Sequence, residues 1–407
     1  MTAGAVVSDQ VVEASLATGT SAGLLDSNDH AQSMFKHAIV KNYIPPFLAM
    51  TGSTSEGRRV VVMDGFAGRG RYADRSPGSA ELILQAIQKL RDSRTVAAFF
   101  AETDSENFQA LESVVGEYAR KGLRAWALRG AAEDHLAGVV AVAQGLPLFL
   151  FLDPCGAMLP FMQLARVLGA NRRASRPPTE VLLNFSAEFT RRTAGQLVKG
   201  QNDTGGANRM DRTCGGPWWR QAALDAYQAS HKENFEPTAE AVVSAYAQKL
   251  AKASNMYQVT VPVRRRLRLQ PVYHLVFLTR SEYGIWVFAD ALGKARRDWL
   301  TATGTLDDDS GPQPALPGLT KSDDMKYLID TERSRAQKIV EGNLLRIAQQ
   351  NRRPFKLVNH ANAVFGDAYG IATDASVLAA VRALETSGRL VTIQQGNRIR
   401  DRIVGPA

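Results

Sequence analysis

Short, largely apolar runs alternate with amphipathic segments over the first half of the chain. Short runs of this kind are typical of strands buried on both faces, whereas apolar residues at helical spacing indicate helices. The runs lie at residues 59–63, 95–101, 125–129, 146–152 and 180–185. The helical segments between them lie at residues 79–90, 106–118, 131–144 and 161–168. Repeated strand–helix units predict an α/β fold with a doubly wound, mostly parallel sheet.

The segments before and after these strand–helix units belong to the same α/β domain. Before it, residues 34–50 have helical periodicity divided by the pair Pro45-Pro46, which predicts a helix or a helix pair at the domain edge. After it, residues 263–269 and 273–278 have the composition of paired strands that close a seven-stranded-type sheet. We therefore expect one α/β domain over residues 30–300.

The two ends of the chain differ from this domain in composition. Residues 1–29 are rich in small and polar residues without a sustained period and predict a flexible extension. Residues 301–324, rich in Asp, Gly, Pro and Thr, predict a linker. Beyond the linker, amphipathic segments precede residues 388–400, which we interpret as a basic hairpin. Helices followed by such a hairpin predict a C-terminal winged-helix-like domain over residues 325–407.

The positive charge of the chain is concentrated in this C-terminal segment. The whole chain carries a formal net charge of +9. Residues 325–407 contribute +6 of this total, from 13 Lys or Arg and 7 Asp or Glu. Because Lys and Arg displace the counterions condensed on phosphates, this bias is compatible with a nucleic-acid partner.

Composition argues against several other classes of protein. With 45% hydrophobic and 22% charged residues, the chain has the material for a sizeable core. The longest apolar run, residues 146–152, is far shorter than the roughly 20 residues that a membrane-spanning helix needs. Cys155 and Cys214 supply neither a disulfide framework nor a four-ligand zinc site, and no His, Cys, Asp or Glu cluster has metal spacing. We expect a cytoplasmic protein without a membrane span or a bound metal.

A glycine-rich turn follows the first predicted strand. It consists of Asp64, Gly65, Phe66, Ala67, Gly68, Arg69 and Gly70. Glycines at this position let the backbone approach a nucleotide-like ligand at the carboxyl edge of an α/β sheet. The pattern looks like the first motif of S-adenosylmethionine-dependent methyltransferases, in which the acid lies near the methionyl amine and the glycine turn passes under the ligand. An ordinary tight strand-to-helix turn is the alternative.

Two further strand ends favour a cofactor at the same edge. The second strand ends at Glu102, whose carboxylate can accept hydrogen bonds from both hydroxyls of a ribose. The third ends at Gly130 and Ala131, where the adenine-binding loop of such folds lies. A solvated strand end is the alternative for Glu102. We predict S-adenosylmethionine as the cofactor, bound by Asp64, Gly65, Phe66, Gly68, Gly70, Glu102, Gly130 and Ala131.

The fourth strand ends at Asp153 and Pro154, at the edge where a transferred methyl group would be presented. The segment resembles the Asp-Pro-Pro-Tyr motif of amino-methylating enzymes, whose Asp and main-chain carbonyl hold a substrate amine, although the aromatic platform is missing. We predict that Asp153 and Pro154 are the catalytic residues that hold the methyl acceptor. We interpret Cys155 as a small loop residue rather than a nucleophile, because nothing in the sequence indicates a stabilised thiolate.

Basic and aromatic side chains near this edge are candidates for substrate binding. Residues 71–78 lengthen the connection from the glycine turn to the next helix, and they form either a loop that overhangs the site or a mobile surface loop. The candidates are Lys36, His37, Arg69, Tyr72, Arg191 and Arg192. Core packing and a solvated face are the alternatives for the basic pairs.

The ordered set of motifs resembles one family, the three-Cys-motif partner (TcmP) proteins of bacteria and phages. The resemblance covers residues 36–280 and, besides the motifs above, includes residues 182–185, the pair Trp218-Trp219 and residues 273–280. It implies a methyltransferase-like fold and a partner protein that bears a cysteine motif. Cys155 replaces the aromatic residue that usually follows Asp-Pro in the family, so the resemblance does not define the chemistry.

These observations lead to three hypotheses. The first is an S-adenosylmethionine-dependent methyltransferase of class I, Rossmann-like fold that acts on nucleic acid or a nucleotide-like molecule. The second is a catalytically inactive protein of the same fold that serves as a partner or DNA-targeting subunit of a defence or modification complex. The third is a small-molecule methyltransferase of a biosynthetic pathway. Absence of S-adenosylmethionine binding would exclude the first and the third.

Overall fold

The computed structural model describes most of the chain. The described residues are 31–154, 156, 159–172, 176–200, 204–231, 235–264, 269–303 and 321–407. The predicted N-terminal extension, residues 1–29, lies outside them.

Seven strands form the central sheet. They are β1 (Arg59–Asp64), β2 (Thr95–Glu102), β3 (Arg124–Arg129), β4 (Leu148–Leu152), β5 (Thr179–Ser186), β6 (Tyr257–Val263) and β7 (Tyr273–Thr279). Their order is β3-β2-β1-β4-β5-β7-β6. The first five strands pair in parallel, whereas β7 is antiparallel to both β5 and β6. The predicted doubly wound, mostly parallel seven-stranded sheet is confirmed.

Helices cover both faces of this sheet. They are α1 (Ala31–Ser53), α2 (Ser79–Leu90), α3 (Ser105–Arg120), α4 (Ala132–Val142), α5 (Phe161–Leu168), α6 (Ala187–Val198), α7 (Thr204–Cys214), α8 (Trp218–Ala229), α9 (Glu236–Ser254) and α10 (Glu282–Thr303). Helices α1, α2, α3 and α10 share a hydrophobic cluster with Val60 and Val62, and α4 to α9 share the opposite cluster with Val61 and Met63. Successive side chains of β1 therefore pack against the helices on opposite faces of the sheet, because side chains alternate in direction along a strand.

Helix α1 runs through Pro45 and Pro46 as one helix rather than a pair. An interior proline removes a backbone hydrogen bond and costs about 3 kcal/mol. The opposing contribution comes from six side chains that are at most 3% exposed: Ile39, Val40, Tyr43, Ile44, Phe47 and Leu48. Burial of a side chain of this size contributes about 1.5–3 kcal/mol. Packing on the sheet therefore outweighs the local cost of the prolines.

A buried hydrogen-bond network fixes α1 to the amino end of β5. The Tyr43 hydroxyl donates to the carboxylate of Glu180 at the start of β5, which also accepts a hydrogen bond of 3.0 Å from Thr279 Oγ1. Burial raises the pKa of Glu180 to about 7. The network satisfies polar groups that would otherwise be costly to bury.

The first strand of the last pair lies earlier in the chain than the sequence predicts, whereas β7 lies at the predicted position. Strand β6 ends at Val263, where the sequence predicts a strand to begin, and Val263 pairs with Tyr273 of β7. Residues 265–268 lie outside the described residues. The strand forms at residues 257–263 because Val259 and Val263 there bury their side chains in the core.

The C-terminal segment is a small layered unit. It consists of α11 (Lys321–Asn351), α12 (Ala361–Phe365), α13 (Asp374–Thr386) and the strands β8 (Phe355–Lys356), β9 (Leu390–Gln394) and β10 (Ile403–Pro406). These strands form an antiparallel sheet in the order β8-β10-β9. The predicted hairpin over residues 388–400 is wrong in its second strand, which lies at β10. Val404 of β10 is fully buried, so this later segment gains more from pairing with β9.

The C-terminal segment packs tightly on α10. The indole of Trp286 donates to Asp374 Oδ1 at 2.6 Å, and the Tyr283 hydroxyl donates to Asp401 Oδ1 at 2.8 Å. Of the predicted linker, residues 304–320 lie outside the described residues, while α10 continues to Thr303 and α11 begins at Lys321. The two parts share one hydrophobic cluster.

Gly293 marks the closest approach between these two parts. A Cβ atom at Gly293 would lie 2.2 Å from the carbonyl oxygen of Ala372. We expect Gly293→Ala to lower the free energy of unfolding by about 1–3 kcal/mol, because neither backbone can yield without losing contacts. Denaturant unfolding measures the loss.

Gly342→Ala is the matched control. Gly342 lies on the exposed side of α11, with open space around an added Cβ. We expect this variant to gain up to about 1 kcal/mol, because alanine is the better helix former. Equal effects of the two substitutions would contradict the tight contact.

Candidate functional site

Four side chains lie at or near the carboxyl ends of neighbouring strands. Asp64 ends β1, Glu102 ends β2, Asp153 follows β4, and Asn184 lies near the end of β5. Because these strands are parallel, their carboxyl ends meet at one edge of the sheet, which is the usual ligand site of such folds. The sequence predicts the first three of these residues as site residues, whereas Asn184 belongs only to residues 182–185 of the family resemblance.

The carboxylate of Asp64 organises the glycine turn. Its Oδ1 accepts a hydrogen bond of 3.0 Å from the Phe66 amide, and its Oδ2 accepts one of 2.6 Å from Ser79 Oγ at the start of α2. Gly68 and Gly70 have φ values of 58° and 75°, a region that favours glycine. Asp64 thus joins β1, the turn and α2, and the glycines permit the path between them.

Three carboxylates create a negative field at this edge. Asp64 is fully buried, and burial is the main cause that raises its pKa to about 7. The hydrogen bonds from Ser79 and Phe66 act in the opposite direction, and the negative charges of Asp153 and Glu102 add to the increase. A cationic group bound here would relieve this repulsion.

Glu102 is positioned by backbone donors. Its Oε1 accepts a hydrogen bond of 2.8 Å from the Asp104 amide, and the backbone of Gly68 also donates to its carboxylate. Burial raises the pKa of Glu102, while these backbone hydrogen bonds lower it. The Gly130 amide donates to the Glu102 carbonyl at 3.0 Å, so the predicted adenine loop, Gly130 with Ala131, lies directly beside the second strand end.

The loop of residues 71–78 is tied to the domain at its base. Arg71 and Pro77 form an antiparallel bridge, and the Arg71 guanidinium bonds both oxygens of Glu81 at 2.6 and 2.7 Å. The Tyr72 hydroxyl lies 3.4 Å from His37 Nε2, so the loop contacts α1. Of the two interpretations of this loop, these contacts favour an ordered loop that borders the site.

A second cluster surrounds Asp153. Lys36 Nζ lies 2.5 Å from Asp153 Oδ2, and Asn184 Nδ2 donates to Asp153 Oδ1 at 2.6 Å. The same ammonium group lies 5.2 Å from the centroid of the Tyr273 ring, at the start of β7. His37 lies next to Lys36, and burial together with the Lys36 charge lowers its pKa to about 4, so its imidazole is neutral at pH 7.

The other predicted substrate residues have partners elsewhere. Arg69 bonds Asn107 Oδ1 and Glu106 Oε1, both at 2.8 Å, on the first turn of α3. Arg191 donates to the Pro271 carbonyl at 2.6 Å, and the Arg192 guanidinium lies 5.6 Å from the centroid of the Phe189 ring. Within the described residues the structure thus brings Lys36, His37 and Tyr72 together at the site, while these three arginines are engaged in other contacts.

The structure describes one of the two cysteines, Cys214. Cys155 lies outside the described residues. Cys214 is buried, and burial raises the pKa of its thiol well above the usual value. The described parts of the chain contain no group of three or more His, Cys, Asp and Glu residues that could hold a metal ion, and no helix among them is long and apolar enough to cross a membrane.

Comparisons with known proteins give low similarity throughout. No protein-family model matches the chain, and no curated protein matches it. Among solved structures, it is similar to a proposed class I S-adenosylmethionine-dependent methyltransferase from Listeria monocytogenes, with 9% identity, a TM-score of 0.29, and coverage of 60% of this chain and 59% of that one.

Two further solved structures have comparable scores. A proposed sarcosine dimethylglycine methyltransferase from Galdieria sulphuraria is 9% identical, with a TM-score of 0.26 and coverage of 59% of this chain and 84% of that one. A loganic acid methyltransferase is 9% identical, with a TM-score of 0.27 and coverage of 65% of this chain and 98% of that one. The fold assignment rests on the order and direction of the strands in the central sheet.

The raised pKa of Asp64 predicts a specific pH dependence of stability. The pKa is about 7 in the folded protein against a reference of 3.8, so between these values the folded protein keeps a proton that the unfolded chain releases. The free energy of unfolding contributed by this group therefore falls as the pH rises from about 4 to 7, by an amount on the order of 4 kcal/mol.

We expect Asp64→Asn to remove this contribution, so that stability falls less with rising pH in the variant than in the wild type. Denaturant unfolding at several pH values between 4 and 8 measures the difference, and the histidine contributions cancel because both proteins contain them. Asp92→Asn is the control, since the Asp92 side chain is 95% exposed. Parallel stability profiles for wild type and Asp64→Asn would rule out the assignment.

Proposed function

We propose that this protein is an S-adenosylmethionine-dependent methyltransferase. The observation that carries the proposal is the convergence of Asp64, Glu102 and Asp153 on the edge of the sheet where the glycine turn lies. Fold alone does not define function, so the proposal depends on this arrangement of groups.

The chemistry of the site fits this cofactor. S-adenosylmethionine carries a positive sulfonium and an ammonium group, and the three carboxylates at this edge form a field that favours positive charge. Gly65 lets the glycine turn pack closely against Leu152 at the end of β4, because a Cβ atom at Gly65 would lie 2.8 Å from Leu152 Cδ2. We infer that Asp64 lies near the amino end of the cofactor, Glu102 accepts the ribose hydroxyls, and Gly130 and Ala131 border the adenine.

The residues of the chain would act mainly by positioning. The cofactor supplies a methyl group that its sulfonium already activates, so little acid–base chemistry is required from the protein. We propose that Asp153 and the carbonyl of Pro154 hold the acceptor, since alignment contributes most of the rate in such a reaction. Asn184 fixes the Asp153 carboxylate for this role, and the neutral His37 borders the same space.

We further propose a nucleic acid or a nucleotide-like molecule as the substrate. We propose that the C-terminal segment acts as a winged-helix-like domain, which is supported by its three helices and by the three-stranded antiparallel sheet formed by β8, between α11 and α12, with β9 and β10. Exposed basic side chains lie on its surface, among them Lys338, Arg346, Arg353, Arg382, Arg389 and Arg398. Such a surface favours binding of a polyanion such as nucleic acid, because Lys and Arg release the counterions condensed on its phosphates.

A second candidate function follows from the ion pair between Lys36 and Asp153. The carboxylate proposed to hold the acceptor already has a cationic partner, which is compatible with a protein that binds the cofactor or a partner without catalysis. The resemblance to three-Cys-motif partner proteins supports a role beside a cysteine-bearing protein. Turnover of labelled S-adenosylmethionine with candidate acceptors separates this function from the first.

Glu102→Gln tests the cofactor site. Loss of the negative charge weakens hydrogen bonds to the ribose hydroxyls by about 1.5–3 kcal/mol, so we expect the dissociation constant of S-adenosylmethionine to rise roughly 10- to 100-fold. Isothermal titration calorimetry measures this constant. Glu112→Gln, an exposed carboxylate on α3, is the control and should bind as the wild type does. Absence of binding by the wild type at millimolar ligand would refute the proposed cofactor.

A pair of charge reversals tests the nucleic-acid surface. We expect the full-length wild type to bind duplex DNA with an affinity that falls steeply with salt, and Arg389→Glu with Arg398→Glu to weaken it about ten-fold or more. Fluorescence anisotropy at several salt concentrations measures both effects. Arg91→Glu with Arg120→Glu makes the same change of charge on the α/β domain. Equal losses in the two double variants would point to net charge rather than this surface.

A further inference from the structure

A cavity of about 170 Å³ lies between α1, the start of β5 and the start of α10. Tyr43 and Glu180, which line it, are buried, whereas Met50 is half-buried and Thr54 is exposed. The cavity therefore reaches from the surface into the interior. Glu180 precedes Asn184 by four positions on β5, which is about 13 Å at the rise of a strand, so the cavity lies apart from the cofactor edge.

Most of the wall of this cavity is apolar. The rings of Tyr43, Phe47 and Tyr283 line it, together with the side chains of Met50 and Val287. An apolar cavity of about 150 Å³ can bind benzene in a protein interior. The volume beside α1 therefore accommodates one aromatic ring with a short substituent.

Glu180 places an acidic group in this apolar wall. Its carboxylate accepts hydrogen bonds from the Tyr43 hydroxyl and from Thr279 Oγ1. In the part of the chain that the structure describes, no Lys, Arg or His pairs with it. Arg280 also lines the cavity, but its guanidinium donates to two backbone carbonyl groups, at 2.7 and 3.0 Å. Since an opposite charge stabilises the ionised form of a buried acid, this position favours a cation.

We propose that this cavity binds a small aromatic compound with one cationic amino group, whose ring packs among the aromatic side chains and whose ammonium group pairs with Glu180. The hydrogen bonds from Tyr43 and Thr279 can persist, because a carboxylate offers about four acceptor positions. This inference goes beyond the proposed methyl transfer and does not depend on it, because the cavity shares no residue with the proposed cofactor and acceptor sites.

Benzylammonium chloride and benzyl alcohol test the proposal on the wild type, because the two probes share a ring and a shape and differ in charge. We expect benzylammonium to raise the melting temperature saturably, with an apparent dissociation constant at least ten-fold lower than that of benzyl alcohol. Thermal unfolding at pH 8 and constant ionic strength, with sodium chloride as the reference salt, measures both constants. Equal constants, or no saturable effect of benzylammonium, would overturn the proposal.

The pH dependence of binding identifies the acid. Burial raises the pKa of Glu180 to about 7, so below this pH a proton must leave Glu180 before a cation can pair with it. Its ionised fraction rises from about one tenth at pH 6 to about nine tenths at pH 8, and the affinity for benzylammonium should rise about ten-fold. Tyr43, Tyr283 and Arg280 also line the cavity, but neither phenols nor guanidinium groups change charge in this range. A constant affinity would contradict pairing with Glu180.

Glu180→Gln removes the charge and keeps the shape of the side chain. We expect this variant to bind benzylammonium no more tightly than benzyl alcohol and without the pH dependence, while it binds benzyl alcohol as the wild type does. Binding of benzyl alcohol also shows that the cavity is intact in the variant. A retained preference for benzylammonium would exclude Glu180 as its partner and overturn the proposal.

Thr51→Phe tests the location, because Thr51 lines the cavity and a phenyl ring there would occupy much of it. We expect this variant to lose binding of both probes. Ser53→Phe is the matched control: Ser53 is exposed and lies outside the cavity, and both hydroxyl groups donate to a backbone carbonyl of α1. Equal losses in the two variants, or undiminished binding by Thr51→Phe, would overturn the proposal. This pair and the wild-type pH profile keep the proposal testable if Glu180→Gln does not fold.

Discussion

The geometry of the proposed cofactor site depends on the hydrogen bonds of the buried Asp64 carboxylate. This carboxylate accepts from the Phe66 amide and from Ser79, and so it holds the end of β1, the glycine turn and the start of α2 in one arrangement. Burial of a charge is costly unless its hydrogen bonds are made. The site therefore retains a partly protonated acid near neutral pH, and the same field that raises this pKa favours cationic ligands.

The sequence predicted the layered core well because that core follows simple periodicity. Helix α2 has the predicted bounds, Ser79–Leu90, and β1, β2 and β4 differ from their predicted ranges by one or two residues. Helix α2 repeats its apolar residues at helical spacing, and the three strands are short apolar runs of the length typical of buried strands. Asp64 and Glu102 could be found for the same reason, since strand ends at a carboxyl edge carry the ligand-facing residues.

Features that depend on tertiary contacts could not be predicted from the periodicity of the sequence. The prolines of α1 left a single helix and a helix pair as alternatives, and only the buried face of the helix decides between them. Strand β10 was missed because its pairing with β8 and β9 joins distant residues. Asn184 lies within an apolar strand, and its relation to Asp153 and Lys36 becomes visible only when β4, β5 and α1 meet. A single polar residue inside a predicted buried strand is nonetheless a signal that could have been noticed.

Helix α1 contacts the sheet through two polar side chains whose relative direction is fixed by the helix. Lys36 contacts the acceptor edge, and Tyr43 contacts Glu180 at the opposite edge. The two residues are separated by two helical turns and so project from the same face. Deleting one residue between them would rotate one anchor by about 100° relative to the other. The length of this stretch is therefore constrained by geometry, in addition to the constraint that its buried side chains, such as Ile39 and Val40, place on its sequence.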